Sequence, residues 1–551
     1  MSAATGTAAA PGGAGPGSAQ GTVRRLIVFV LLFVLVTIAA IGIAGLVERL
    51  LGAARDLAVA GTADLALQLA FTLIGGPLAA LLWWASWRRM ADPAERGSVA
   101  WGLYLAAMGT VSLVVATSAL AGTVTSLVDG RWEPEALAVA IVWALVWVWH
   151  RWMLRHPAKG PTRLATVPLV LGAAYGLVVG AGGVVVAVGA VLDAAFGTPT
   201  LAILVPDPWW YAALDGLTWA VIGGAIWWWH WVHDGVRRIP TAFAAVALVV
   251  VGVLGGAAAA LAGAGTALDV GLRLAFDPAD GTAAILEPLG TALAAAAVGA
   301  FVWRLHARIA DAHSEATRRA SRLVVAGLGL AGAASGIGVV VNAVLAAVAD
   351  PLASTGTRTL LLGGISTLVV GGPTWWLAWR PTRRVDPAEA ADVGRRVYLV
   401  AVFGASAVVA IVALLVVGYR LFEFVLDPVT GAALVDRIRA PLGLLVATAL
   451  VFAYHFAVWR RDRVAIAEAG IATGRAIGRV VLVAPGDPSP FVRAVSEATG
   501  APVTAWPRVP AEGETPPDVD RVVGALQGVS GRRVLVLAGP GDRVEVVPLA
   551  E

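Results

Sequence analysis

Long apolar runs alternate along this chain with short polar loops that carry arginine, and the alternation predicts the fold. A helix needs roughly 20 apolar residues to cross a hydrocarbon core about 30 Å thick. Runs of that length lie near residues 23–51, 63–88, 98–127, 134–154, 164–193 and 210–233. A second set lies near 241–275, 283–308, 320–348, 356–380, 395–425 and 434–460. The odd-numbered runs are the longer ones and are expected to tilt or project. Taken in pairs they make hairpins near 23–89, 98–155, 164–234, 241–309, 320–381 and 395–461. The expected fold class is an all-α polytopic membrane protein: about twelve transmembrane helices as six repeated hairpins over residues 23–461. Residues 1–22 are small, polar and rich in Gly and Pro, and are expected to form a disordered N-terminal tail. The apolar run after Arg24 and Arg25 is too long for the core of a signal peptide, so the first helix is expected to be an uncleaved span.

The pattern changes past Arg463. Residues 462–477 are expected to be a linker. Short β-rich runs at VVLVAP (480–485), PVTAW (502–506), RRVLVLAG (532–539) and VEVVPL (544–549) then alternate with helical patterns at 490–500 and 518–528. Strands alternating with helices predict a small parallel α/β domain over residues 478–551. The turn Gly486-Asp487-Pro488-Ser489-Pro490 lacks both G-x-G-x-x-G and G-x-x-x-x-G-K-[ST], and its prolines remove donors that a phosphate cradle would use. A docking or regulatory module is expected there, and no nucleic acid is expected as a ligand.

Composition agrees with the membrane class. The chain is 58% hydrophobic and 14% charged, against about 45–50% and about 25% for soluble domains. It has no cysteine, which excludes disulfides and thiolate-bound metals. Charge placement predicts orientation. About 24 basic residues flank the even-to-odd loops and the first span, among them Arg88, Arg151, Arg237, Arg318, Arg383 and Arg460, against about 8 in the other loops. The positive-inside rule puts the rich side, and both termini, in the cytoplasm. The basic residues are nearly all Arg, with Lys159 the single lysine; with the heavy Ala, Gly and Val usage this suggests a bacterial inner (plasma) membrane.

Most of the 22 tryptophans sit at those same basic ends, where an indole lies with its apolar face in lipid and its N–H at the headgroups. The even helices also resemble one another. GGAIWWWHWVH (223–233) aligns with GGPTWWLAWRP (371–381) without a gap, and LIGGPLAALLWWASWRR (73–89), VWALVWVWHRW (142–152), VGAFVWRLHAR (298–308) and LVFAYHFAVWRR (450–461) are variants. The period is about 75 residues. Tandem two-helix units whose second helix ends in Trp and Arg resemble a bacterial membrane family catalogued as domain of unknown function 5671. The resemblance covers about residues 23–461 and implies no activity, cofactor or catalytic residue.

The span centres are nearly bare of ionisable groups; Gln68, Asn342 and His455 come closest. A proton- or sodium-coupled pump normally needs more. No paired carboxylates or clustered metal ligands are evident, so no enzyme activity and no cofactor are expected. The odd spans carry polar residues toward their other ends: Glu48, Asp129, Asp193, Asp269, Asn342 and Glu423. If the hairpins surround an axis, these form a ring that attracts cations; otherwise they sit among headgroups. Two functions stay open. One is a membrane-embedded scaffold or sensor with the lipid bilayer around it and a cytoplasmic protein partner on its C-terminal domain. The other is a channel or transporter for an uncharged or weakly polar solute.

Overall fold

The structure is a computed structural model, and it describes residues 16–52, 62–197, 208–349, 355–380, 386–426, 434–470, 477–510, 517–529, 531–539 and 543–549. Most of the expected tail (1–15), part of the expected linker (471–476) and the 511–516 loop lie outside the described residues.

Among the described residues twelve long helices follow the apolar runs. They are α1 (Pro16–Gly52), α2 (Thr62–Arg89), α3 (Val99–Val128), α4 (Pro134–Arg155), α5 (Val167–Ala195) and α6, which runs from Trp209–Trp228 into a π turn at Trp229–His233. They continue with α7 (Ala242–Phe276), α8 (Thr282–His313), α9 (Glu315–Ala349), α10 (Thr355–Trp379), α11 (Val393–Leu426) and α12 (Leu434–Glu468). Eleven are long and apolar enough to cross a membrane. The expectation was about twelve, and the helix outside that set is α6. Its tryptophans, Tyr211 and Asp215 lower its mean hydropathy. Helix α1 begins at Pro16, inside the stretch expected to be disordered. Its first residues are helical without an apolar pattern that would have marked them.

The chain divides into two compact units, residues 1–381 with 407–449 and residues 382–406 with 450–551. In the first, α3 packs on α4, α5 on α6, α7 on α8 and α9 on α10. Glycine sets how close these pairs come. A Cβ placed on Gly176, Gly256 or Gly329 would lie within 2.6 Å of the backbone nitrogen of Trp227, Trp303 or Trp375 respectively. One turn on, a Cβ on Gly223, Gly299 or Gly371 would come equally near the nitrogen of Gly180, Ala260 or Ala333. A turn further, Gly183, Gly263 and Gly336 approach Ala220, Ala296 and Leu368 in the same way. The same three-rung contact therefore recurs in α5/α6, α7/α8 and α9/α10. Backbones that approach this closely gain dispersion contacts that larger side chains would forbid.

In the second unit, Phe403 of α11 meets Phe452, Phe456 and Trp459 of α12, and Arg395 Nε donates to Asp462 Oδ2 at 2.7 Å. The same unit holds a four-stranded sheet in the order β2-β1-β3-β4, from β1 (Ile477–Pro485), β2 (Val503–Arg508), β3 (Gly531–Ala538) and β4 (Val544–Leu549). Helices α13 (Ser489–Thr499) and α14 (Val519–Ala525) connect β1 to β2 and β2 to β3. Leu482, Val480, Val534 and Val536 point into a core closed by Phe491, Val495 and Val522. The parallel pairs β1/β2 and β1/β3 match the sequence expectation, but β4 runs antiparallel to β3. The five residues between β3 and β4 are too few for a parallel crossover, which needs a dozen or more.

Candidate functional site

The polar residues of the odd helices do not point to one centre. Asp193 Oδ1, on the last turn of α5, accepts the backbone N–H of Gly290 in α8 at 3.0 Å. Thr125 Oγ1 of α3 donates to Asp215 Oδ1 of α6 at 2.9 Å. Thr359 Oγ1 of α10 donates to Asp277, which closes α7, at 2.7 Å. Arg439 Nη1 of α12 donates to Asn342 Oδ1 of α9 at 3.0 Å. In each case the odd helix of one hairpin is bonded to the even helix of the next, across 82 to 97 residues of sequence.

The other candidates are placed differently. Asp269 faces α10 at Gly363, where a Cβ would lie 3.7 Å from its Oδ1. Glu423 pairs with Arg420 at 2.8 Å and stands 3.8 Å from Arg437. Glu48 is half-buried on α1 beside Arg49, whose Nε donates to Gln68 Oε1 at 2.6 Å. Asp129 caps the end of α3 and pairs with Arg131 at 3.0 Å.

Two of the six, Asp129 and Asp193, share a cavity of about 730 Å³ with Asp215, Arg131, Trp209 and Tyr211. Glu48, Asp269, Asn342 and Glu423 do not line it. Asp215 was missed in the sequence because it lies on an even helix, and only the odd helices had shown a recurring polar position.

The arginine-rich end holds a second cluster. The side chain of Asp234 is fully buried, and the guanidinium groups of Arg151 and Arg155 on α4 both donate to its Oδ1. His230 Nδ1 donates to its Oδ2 at 2.9 Å. Burial of Asp234 works against its charge, but the hydrogen bond and charge of Arg151, with His230 and Arg155, hold its carboxyl below the usual carboxylate range. Arg151 also lies over the rings of Trp147 and Trp229, 5.4 Å from each centroid.

Histidine is a recurring group of which the sequence reading singled out only His455. His150, His230, His306 and His455 are all at most 3% exposed. In three of them Nδ1 meets the carbonyl four residues back: Val146 at 2.7 Å, Val302 at 2.8 Å and Val451 at 2.9 Å. A carbonyl only accepts, so Nδ1 carries the proton and Nε2 is left as an acceptor. Tyr104 Oη donates to His150 Nε2 at 2.9 Å. The space for the ring comes from the odd helix, where a Cβ on Gly172 would meet His230 and one on Gly252 would meet His306. The signal was there to be found: a histidine near the end of four even helices, within one turn of the tryptophans. Among the described residues, no three His, Asp or Glu side chains converge to hold a metal ion.

In the sheet domain, Asp487 Oδ1 accepts from Ser489 N–H at 3.0 Å and from Ser489 Oγ at 2.6 Å. The start of α13, where an anion would seat, is thus taken by the chain's own carboxylate.

Long apolar helices in closely packed pairs, with basic and aromatic residues gathered at one end, define a multi-helix protein of membrane type. The family model described as Domain of unknown function (DUF5671) matches residues 25–135 and again 319–450. The chain thus resembles the family that its tandem Trp-ended hairpins suggested. No curated protein and no solved structure matches it.

Proposed function

We propose that this chain is a multi-pass membrane scaffold of six tandem two-helix repeats that presents its C-terminal α/β domain to a cytoplasmic protein partner. The observation that carries the reading is the three-rung glycine contact repeated in α5/α6, α7/α8 and α9/α10. Four polar contacts add to it, since they bond hairpins two to six in succession. The two family matches begin at residues 25 and 319, about 294 residues or four periods of about 74 apart, as tandem repeats require.

Several features support embedding in a bilayer. Leu73, Leu145, Val221, Phe301 and Leu415 are each more than 60% exposed, a surface that needs an apolar solvent. With α6 included, twelve spans return the chain to its starting side, and the arginine excess puts that side in the cytoplasm. In the sheet domain, Trp506 on the edge strand β2 is 59% exposed and Val509 beyond it 89%. An open strand edge beside an exposed indole suits a protein segment adding to the sheet.

The absence of cysteine makes the test direct. Single cysteines at the exposed positions Ala91, Thr282 and Ser496 are expected to react with a membrane-impermeant maleimide from the cytoplasmic, outer and cytoplasmic sides respectively. A photo-crosslinker at Trp506 of the full-length chain should capture one protein reproducibly. Labelling of positions 91 and 282 from the same side would end the topology, and crosslinking only to lipid or to itself would end the partner. A second reading, a channel or transporter for an uncharged or weakly polar solute, is favoured by the cavity of about 730 Å³ at Asp129, Asp193 and Asp215. Solute flux in proteoliposomes that Asp215→Leu abolishes would support it over the scaffold.

A further inference from the structure

An apolar groove of about 440 Å³ runs between α3, α4 and α6, and it is a different feature from the acidic cavity. Leu113 and Leu120 of α3, Ile141 and Ala144 of α4 and Ile226 of α6 line it. At one end it reaches Trp147, Trp229 and His230. Arg151 covers both of those indoles and shares Asp234 with Arg155. We propose that this groove binds one acyl chain of an anionic phospholipid, with the lipid phosphate held by Arg155 and Arg151. The inference rests on the membrane reading above.

Charge, length and volume select this occupant. Two guanidinium groups face one carboxylate, so the cluster keeps a surplus positive charge. Arg151 is 11% exposed, but Arg155 is 50% exposed and can reach a ligand while holding Asp234. Basic pockets between helices at the cytoplasmic face suit anionic headgroups. From Leu137 to Trp147 the groove follows α4 for about 15 Å, which is half of a hydrocarbon core about 30 Å thick and the depth of one leaflet. The groove is open along one side, and its volume of about 440 Å³ takes a single hydrocarbon chain.

The test uses full-length protein in detergent, titrated with phosphatidylglycerol or phosphatidylcholine of identical chains and read by native mass spectrometry. Ala144→Trp fills the groove from its exposed wall, and Arg155→Gln removes the half-exposed cation. Wild type is expected to hold one phosphatidylglycerol more than Ala144→Trp, and Arg155→Gln to bind that lipid about fivefold more weakly. Phosphatidylcholine, whose choline cation offsets its phosphate, should bind wild type more weakly and lose less affinity in Arg155→Gln. Equal retention of phosphatidylglycerol by wild type and both variants overturns the site. Equal loss of both lipids in Arg155→Gln overturns the headgroup assignment, and a changed oligomeric state in Ala144→Trp makes the groove a contact between copies. Ala225→Leu narrows the groove more gently and replaces Ala144→Trp if that variant melts without cooperativity. Release of the wild-type chain from membranes by alkaline carbonate would instead refute the membrane reading itself.

Discussion

Asp193 and Gly290 are 97 residues apart in sequence, yet the carboxylate of one accepts the backbone N–H of the other at 3.0 Å. Each residue supplies what the other lacks. Pro288 restarts α8 at that point, so the N–H of Gly290 falls in a first turn with no acceptor within the helix. Asp193 lies at the C-terminal end of α5, where a helix dipole disfavours negative charge, and the start of the neighbouring helix favours it. The bond resembles an N-cap supplied by a different hairpin.

Asp193→Ala is therefore expected to cost about 1–2 kcal/mol, the usual range for loss of a helix cap. Asp193→Asn, which keeps an acceptor, should recover most of it. Gly290→Ala should destabilise wild type, because its Cβ would fall on the Asp193 carboxylate, and should be milder when combined with Asp193→Ala. Unfolding midpoints of wild type and the four variants in one detergent check this.

The glycine rungs give a paired prediction. Gly256→Ala puts a methyl group against the backbone of Trp303 and should cost about 1–3 kcal/mol. Gly265→Ala, in the same helix with nothing within 4 Å of the new atom, should be neutral or gain about 0.5–1 kcal/mol. Equal melting of the two variants would remove close packing as the reason for those glycines.

The cluster around Asp234 makes stability depend on acid. Its carboxyl is held below the ordinary value of about 3.9, so its contribution is complete above that value and is lost as pH falls through the lower folded one. The melting difference between wild type and Asp234→Asn should be largest near neutrality and shrink below about pH 4. A difference that grows in acid would reverse the assigned sign.

Leu482 is fully buried at the centre of the sheet. Leu482→Ala should cost about 2–5 kcal/mol, a large share of what a small domain has to spare. Hydrogen exchange on the full chain should show β1 and β3 losing protection while α5 to α8 keep theirs.

Much of this was legible in the sequence, and the exceptions have physical causes. Hydropathy located the helices because a bilayer span must be apolar along its whole length. The gapless alignment of 223–233 with 371–381 places Gly223 over Gly371 and Trp227 over Trp375, and those residues make matching contacts. The partners of Asp193, Asp277 and Asn342 were not legible, because each bond joins residues more than 80 positions apart. A ring and a place among the headgroups were the two readings open for these polar positions, and neither included the option that a residue serves the neighbouring hairpin. The direction of β4 was readable from its short connection but was not read. His150, His230 and His306 were overlooked because a lone His beside tryptophans looks like interfacial decoration until its Nδ1 is found bonded one turn away.

Bonds that reach forward from each hairpin to the following one also order events during synthesis. When Asp193 leaves the ribosome, Gly290 has yet to be made. At about 5–20 residues per second the carboxylate waits about 5 to 20 s for it. Thr125 waits for Asp215 and Asn342 for Arg439 in the same way. Each of these bonds can close only after the following hairpin has been made, so they become available in the order in which the chain is translated.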